Sequence, residues 1–190
     1  MSALEARLEA ILRAAPSLMR VMETSRELAL PDWLIVSGAV YQRVFNHLTG
    51  RDPDYGIKDY DLAYFDASDI SYEAEDMVIQ RAAAAFEPPL RELVEVRNQA
   101  RVHVWFEGKF GEPYTPLSCS AEALERFVSP TNAVGARLDA DGRMVVVAPF
   151  GLEDLFAMRL RPNPIRQTGG FAATAAGMKS RWPELVVEPD

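Results

Sequence analysis

The segment KDYDLAYFD, residues 58–66, limits the possible folds more than any other part of the chain. Its apolar stretch, residues 62–65, predicts a short strand that enters a hydrophobic core. The strand begins with Asp59 and Asp61, whose side chains point the same way because side chains alternate along a strand. Their Cα atoms are expected about 6.5–7 Å apart. The sequence therefore predicts a strand with a buried remainder and two neighbouring carboxylates at its exposed beginning.

Hydrophobic patterns on both sides of this segment predict helices and strands that mix without strict alternation. We expect helices over residues 3–15, 16–28, 39–50, 71–86, 120–128 and 151–161. Strands are expected over 33–38, 58–66, 91–108 (one or two strands) and, as a hairpin around Asp141 and Gly142, over 133–149. This order favours an α+β (mixed α/β) fold, in which a mixed sheet carries flanking helices.

No internal repeat or linker divides the 190 residues, a length that fits one domain with a substantial core. We therefore predict a single domain over residues 1–190. Its N-terminal helices occupy 1–30, its core 31–165 and its C-terminal tail 166–190. The tail is rich in Gly, Ala and Thr, so we expect less order there.

Charge and cysteine content argue against several classes of function. Lysine and arginine total 20 against 28 acidic residues, so the formal net charge is −8. Such a balance argues against binding to duplex DNA or to an anionic membrane. Cys119 is the only cysteine, which excludes an internal disulfide and disfavours a structural zinc site. With no recognisable signal peptide or membrane-spanning run, we expect a cytoplasmic protein.

The aspartate pair is a candidate metal site. Hard carboxylate oxygens suit Mg²⁺ or Mn²⁺, and two such ions about 3.5–4 Å apart support phosphoryl or nucleotidyl transfer. The alternative is structural: Asp59 caps a turn, and Asp61 keeps the edge of a sheet soluble. The pattern D-x-D alone leaves both interpretations open.

Two neighbouring segments bear on this choice. A strand runs through Gly38 directly into a helix, and the amides of Ala39 and Val40 at the helix N-terminus form a natural phosphate site. Glu95 lies between two valines in an apolar strand, where an acid is costly unless it binds a ligand. The structural alternative for Gly38 is an ordinary tight turn, and for Glu95 it is a strand face open to solvent. Glu92 is the rival candidate for the third acid.

The order of strand, glycine turn, helix, D-x-D strand and acid-bearing strand resembles the DNA polymerase beta-like nucleotidyltransferase superfamily. More closely, the segments SGAV, GIKDYDLAYFD, YEAED, VRNQARVHVWFEGKFG and APFGLEDLFAMRLRPN are similar to a small family of bacterial nucleotidyltransferase-like proteins. The resemblance covers roughly residues 31–165. It implies that Gly38 is the glycine of the turn, that Asp59 and Asp61 bind metal, and that Glu95 is the third carboxylate.

One departure from the superfamily pattern concerns the turn. Ala39 stands where a serine is usual, so a hydroxyl contact to phosphate is lost and only the backbone amides remain. Ser37, one residue before the glycine, is expected to point elsewhere and not to replace that serine.

Basic residues near these acids are candidate nucleotide ligands. If the strand after Glu95 stays regular, Arg97, Gln99, Arg101 and His103 share its face, and the arginines can take a triphosphate or an acidic acceptor. The alternative is an exposed face with salt bridges. Lys58 is a candidate phosphate contact or a solvated loop lysine.

His103 is favoured as a hydrogen-bonded core residue, and the aromatic residues assigned to the core are Trp33, Phe45, Trp105, Phe150 and Phe156.

The leading hypothesis is therefore a metal-dependent nucleotidyltransferase. With Mg²⁺ or Mn²⁺, it would move a nucleoside monophosphate from an NTP to an unknown acceptor, which is a small molecule, a protein or RNA. The second hypothesis is a catalytically degenerate nucleotide-binding or interaction protein with the same fold, which Ala39 favours. A D-x-D phosphatase of the haloacid-dehalogenase type ranks last, because Leu62 and Ala63 follow the pair and the strand is not the first.

Overall fold

The computed structural model describes residues 2–165 and 170–188. Its helices are α1 (Ala3–Arg13), α2 (Pro16–Glu27), α3 (Gly38–Thr49), α4 (Tyr72–Ala85), α5 (Leu90–Leu93), α6 (Val102–Phe110), α7 (Ser120–Leu124), α8 (Glu153–Phe156) and α9 (Phe171–Arg181). Its strands are β1 (Leu34–Val36), β2 (Tyr60–Tyr64), β3 (Val94–Asn98), β4 (Gly135–Leu138), β5 (Met144–Val147), β6 (Arg159–Leu160) and β7 (Val186–Val187).

The main sheet has five strands in the order β3-β2-β1-β4-β5. β2 and β3 are parallel, and the other neighbours are antiparallel. β6 and β7 form a separate parallel pair. The predicted mixed sheet with flanking helices is thus confirmed, and the hairpin around Gly142 forms as β4 and β5.

Local signals fix several helix ends where the sequence placed them. Ser2 and Glu5 form a capping box at the start of α1, and Pro16 opens α2. Gly50 ends α3 in the left-handed conformation, with φ of 67°. Ser71 caps α4 by accepting a hydrogen bond from the amide of Ala74.

The expectation of one or two strands over residues 91–108 is wrong outside 94–98. Asn98 ends β3, because its side-chain oxygen accepts hydrogen bonds from the amides of Asp66 and Ala100, and the chain then turns through a 3-10 segment into α6. Apart from His103, the run VHVWF is apolar, and such a run is compatible with a buried strand or with a helix. The strand pattern therefore does not continue past Asn98.

The expectation of one helix over residues 151–161 is also wrong in part. α8 ends at Phe156, Met158 takes a φ of 52°, and β6 follows. The carboxylate of Asp154 accepts hydrogen bonds from both Arg159 (2.8 Å) and Arg161 (2.6 Å), which holds the chain in this bent path. Long-range pairing of β6 with β7 overrides the helical pattern.

Residues 170–188 are more ordered than the composition of the tail predicts, while residues 166–169, 189 and 190 of that predicted tail lie outside the described residues. α9 and β7 lie within the expected tail, and Trp182 is completely buried. The largest hydrophobic cluster runs from Leu8 in α1 to Leu185 after α9, so both ends of the described chain contribute to the core. Within the described ranges, no helix is both long and apolar enough to cross a membrane.

Candidate functional site

The turn between β1 and α3 is a single residue, Ser37. β1 ends at Val36 and α3 begins at Gly38, so Ser37 must reverse the chain alone and takes φ of 61° and ψ of −146°. A non-glycine residue in this region costs about 1–3 kcal/mol, and such strain concentrates at functional sites. Its hydroxyl donates a hydrogen bond to Asp61. The expectation that Ser37 points away from the site is therefore wrong.

Asp61 lies at the centre of the site. It is the register partner of Val36 on β1 and of Glu95 on β3, so the sheet holds Asp61 and Glu95 side by side. The pKa of Asp61 is raised from 3.8 to about 6, chiefly by burial and to a lesser extent by the charges of Asp59 and Glu95. The hydrogen bond from Ser37 and the charge of Arg97 oppose that rise. The charges of Asp59 and Glu95 thus act on Asp61, so the three acids singled out in the sequence form one electrostatic site.

A cavity of about 230 Å³, the charged cavity, opens between the Ser37 turn and the loop before β2. Its wall carries Asp59 and Asp61 together with Lys58, as well as Gly38 from the start of α3. A fourth charged side chain, Arg181, comes from α9. Acids and cations therefore face the same small volume, which is the arrangement that a metal-bound polyphosphate requires.

Arg181 was not identified from the sequence. Its Nη1 donates hydrogen bonds to Oε1 of Gln42 (3.4 Å) and to the carbonyl of Gly56 (3.3 Å), and its guanidinium stacks on Trp182 at 4.7 Å. More than a hundred residues separate it from the aspartate pair in sequence, and no local motif marks it. The one signal in the sequence is the tryptophan at position 182, a large apolar residue that the structure buries in the core.

A second cavity, the apolar cavity, lies on the other side of Asp61 and has a volume of about 150 Å³. Ser37 and Asp61 line both cavities, whereas Glu95, Arg97 and Phe127 line only this one of the two. Glu95 and Arg97 are about half exposed and pair at 3.9 Å. Glu92, the rival third acid, lies in α5 before β3 and outside both cavities.

The acids supply the hard oxygen donors that Mg²⁺ and Mn²⁺ prefer. The charges of Asp59 and Glu95 add to the rise in the pKa of Asp61 that burial causes, and a cation would relieve that repulsion. In residues 2–165 and 170–188, however, no group of three His, Cys, Asp or Glu side chains is arranged so that it could hold a metal ion. The donor chemistry fits a divalent cation, while the side chains do not present three ligands together.

Arg101, which the sequence assigned to the site, lies elsewhere, while Ala39 was assigned only for its backbone amide in the first turn of α3. The Ala39 side chain is only 1% exposed and packs in the core, and the neighbouring Val40 amide donates to the carbonyl of Ser37 at 3.0 Å. Arg101 pairs with the buried Glu75 at 2.9 Å and leaves the face of Glu95, because β3 ends before it. A serine at position 39 would bury its hydroxyl, whereas Ser37 already places one beside Asp61.

Two further assignments are wrong because residues 102–110 form helix α6 instead of the expected strand. His103 is partly buried, and its Nδ1 has no hydrogen-bond partner, so it is not the hydrogen-bonded core histidine that the sequence favoured. Trp105 is also only partly buried and packs against Phe106 and Phe110 rather than in the core.

Comparisons with known proteins support a nucleotidyltransferase. A family model described as "Nucleotidyltransferase" matches residues 23–187. A search of curated proteins finds no match. The chain is similar to a solved NMR structure described as revealing a CCA-adding enzyme head domain, with a TM-score of 0.74, 23% sequence identity and 96% of each chain covered. At that identity, the likeness shows the fold alone.

The family supports nucleotidyl transfer in general and implies an NTP substrate. The resemblance inferred from the sequence motifs is thereby confirmed at the level of the family. Since the family model spans most of the chain, the protein belongs to the nucleotidyltransferase family.

Proposed function

We propose that this protein is a metal-dependent nucleotidyltransferase that moves a nucleoside monophosphate from an NTP to the hydroxyl of an acceptor. The observation that carries the proposal is the position of Asp61 between two cavities. Lys58 and Arg181 face one cavity together with Asp59, whereas Glu95, paired with Arg97, faces the other. A reacting α-phosphate beside Asp61 would have its leaving group on the first side and its nucleophile on the second.

The charged cavity suits the donor. Asp59 and Asp61 would hold Mg²⁺ or Mn²⁺ here, and the ion would supply a positive charge that neutralises the phosphates and polarises the reacting one. Lys58 and Arg181 would contact the β- and γ-phosphate oxygens. The amide of Gly38 lies at the N-terminus of α3, where backbone N–H groups favour an anion.

The apolar cavity suits the acceptor. In an in-line displacement, the attacking oxygen approaches opposite the leaving pyrophosphate, and therefore from the side of Glu95. Glu95 would accept the proton of the acceptor hydroxyl as its oxygen forms the new bond to the α-phosphorus. The bond from the α-phosphorus to the bridging oxygen then breaks, and its electron pair leaves with pyrophosphate. Ser37 would hold the carboxylate of Asp61 in place through its hydrogen bond.

A thermal-shift experiment tests the donor part of this proposal. A ligand that binds only the native state raises the melting temperature by mass action. A non-hydrolysable NTP should therefore stabilise the wild type more in Mn²⁺ or Mg²⁺ than in EDTA. Asp59→Asn combined with Asp61→Asn should remove the metal-dependent part of the shift.

Asp141→Asn provides the matched control, because the same chemical change falls on the exposed β4–β5 turn. That variant should keep the full shift. An equal shift in wild type and in the double variant would place the nucleotide elsewhere and overturn the proposed site.

A second candidate function is nucleotide binding without transfer. One observation favours it, namely that the described residues present no group of three metal-binding side chains. A protein of this kind would show the metal-dependent thermal shift but would transfer no label from any NTP to any acceptor.

A further inference from the structure

Helix α6 is the most unusual surface of the molecule. Its sequence VHVWFEGKF is largely apolar, yet only Val102 is buried, while Val104 and Phe110 are more than half exposed. In the part of the chain that the structure describes, neither hydrophobic cluster includes a ring of this helix. A helix that keeps so many rings outside the core is characteristic of a binding surface.

The rings of this region pack against one another. Phe106 lies 4.6 Å from Tyr114 and 4.7 Å from Phe110, measured between ring centroids, and Trp105 lies 6.1 Å from Phe106. Together with Phe127, the rings of Trp105, Phe106 and Tyr114 line a third cavity of about 190 Å³, the aromatic cavity. Its remaining wall includes Arg97 and Gln99.

The aromatic cavity adjoins the proposed reaction centre. Arg97, Gln99 and Phe127 line both this cavity and the apolar cavity, which also contains Asp61 and Glu95. A molecule seated on the rings could therefore extend a hydroxyl along shared walls to Glu95. The charged cavity lies beyond Asp61 and shares none of these three residues.

The chemistry of the walls restricts the class of molecule. Aromatic faces favour a planar ring, which stacks at about 1–3 kcal/mol for each base-sized ring. Arg97 and Arg126 in the wall disfavour a polycation, and the net charge of −8 disfavours a long polyanion. A volume of about 190 Å³ suits one ring system rather than a folded chain. The side-chain amide of Gln99 adds hydrogen-bonding capacity.

We propose that the aromatic cavity is the acceptor site, and that the acceptor is a small molecule with a planar ring and a free hydroxyl, chemically like a nucleoside. The assignment rests on the proposed function, because the direction of attack defines which side of Asp61 receives the acceptor. The ring binds against the wall that Phe106, Tyr114 and Phe127 form, and the hydroxyl reaches Glu95 through the apolar cavity.

Tryptophan fluorescence provides a test that does not require turnover. Trp33 and Trp182 are buried, whereas Trp105 is only partly buried and lines the aromatic cavity. Titration with uridine, cytidine, adenosine and guanosine, each without NTP or metal, should give saturable quenching for at least one nucleoside. Ribose, which lacks the planar ring, should give none.

Two variants on α6 separate the cavity from the rest of the helix. Phe106→Leu should weaken nucleoside binding about tenfold, since it removes one stacking face worth roughly 1.4 kcal/mol. Val104→Ala, at an exposed position that does not line the cavity, should leave the quenching unchanged. Phe106→Leu should also keep the full metal-dependent thermal shift with NTP, because that ligand occupies the charged cavity.

Several results would overturn the acceptor assignment. Absence of quenching by every nucleoside would do so, as would tighter binding of a single-stranded oligonucleotide or a protein than of any nucleoside. Loss of the NTP-induced thermal shift in Phe106→Leu would instead make the cavity part of the donor site. Failure of the proposed function has a different signature, namely no metal-dependent NTP shift in the wild type, whatever the fluorescence shows.

Discussion

Nε1 of Trp182 donates a hydrogen bond of 2.9 Å to Oδ1 of Asn46, and both side chains are fully buried. The amide of the same Asn46 side chain donates to the carbonyls of Pro53 and Tyr55. One residue of α3 thus binds the loop before the aspartate pair to the end of α9. Through this connection, the C-terminal helix becomes part of the site and carries Arg181 to the charged cavity.

The first prediction concerns that connection. Trp182→Phe should lower the free energy of unfolding by about 1–3 kcal/mol, because it leaves the buried oxygen of Asn46 without a donor. Trp105→Phe is the control of equal chemistry at a partly buried position outside the core, and it should cost less than about 1 kcal/mol. Urea unfolding measures both. Equal losses in the two variants would show that the hydrogen bond does not anchor α9.

The second prediction concerns Arg181. Arg181→Gln should weaken binding of metal-bound NTP by about tenfold to a hundredfold, since charge-assisted hydrogen bonds are worth roughly 1.5–3 kcal/mol. Binding of the corresponding nucleoside monophosphate should change less, because it lacks the β- and γ-phosphates. Calorimetric titration compares the two ligands.

Arg51→Gln is the control for this experiment, since Arg51 pairs with Glu184 and does not line the charged cavity. If Arg181→Gln and Arg51→Gln bind NTP equally well, Arg181 has no role in holding phosphate.

The third prediction uses the pKa of Asp61, which is raised to about 6 in the folded protein from 3.8. The folded state therefore holds the proton more tightly than the unfolded state, and the ionised carboxylate destabilises the metal-free fold. This cost is fully present above pH 6, decreases as the pH falls from about 6 to 4, and is absent below that window.

Asp61→Asn should accordingly stabilise the metal-free protein by roughly 1–3 kcal/mol at pH 7.5 and by nearly nothing at pH 4. Urea unfolding in EDTA across this range measures the difference from wild type. A destabilised variant at neutral pH would contradict the raised pKa of Asp61, which burial causes chiefly and the charges of Asp59 and Glu95 increase.

The fourth prediction separates the two arginines that the sequence grouped together. Arg101→Gln should destabilise the fold by about 1–3 kcal/mol, because it leaves the buried carboxylate of Glu75 with less compensation. It should leave NTP affinity unchanged.

Arg97→Gln should have the opposite profile, with little effect on stability, because Arg97 is half exposed. It should alter the Michaelis constant for the acceptor, because Arg97 lines the apolar and aromatic cavities.

The sequence predicts the centre of the site better than its periphery. Asp59, Asp61 and Glu95 lie in or beside short strands, in which local alternation sets the face of each side chain. The parallel pairing of β2 with β3 then puts Asp61 beside Glu95, and the charges of Asp59 and Glu95 act on Asp61. The hairpin at Gly142 likewise follows from its turn residues.

The missed features depend on long-range contacts. Arg101 leaves the expected face because Asn98 bonds to Asp66 and ends β3. Arg181 reaches the site because the neighbouring Trp182 donates a hydrogen bond to the buried Asn46 of α3. Ser37 faces Asp61 only because a one-residue turn imposes a positive φ, which periodicity does not encode.

The position of the transferred label tests the central claim most directly. The protein should be incubated with Mn²⁺ and NTPs that carry a radiolabel on either the α- or the γ-phosphate, together with a nucleoside panel and a cell extract. We predict that α-label moves to an acceptor while γ-label is released in pyrophosphate, and that Asp61→Asn abolishes the transfer whereas Asp141→Asn does not. Transfer of γ-label to the acceptor, or undiminished transfer by Asp61→Asn, would contradict nucleotidyl transfer at this site.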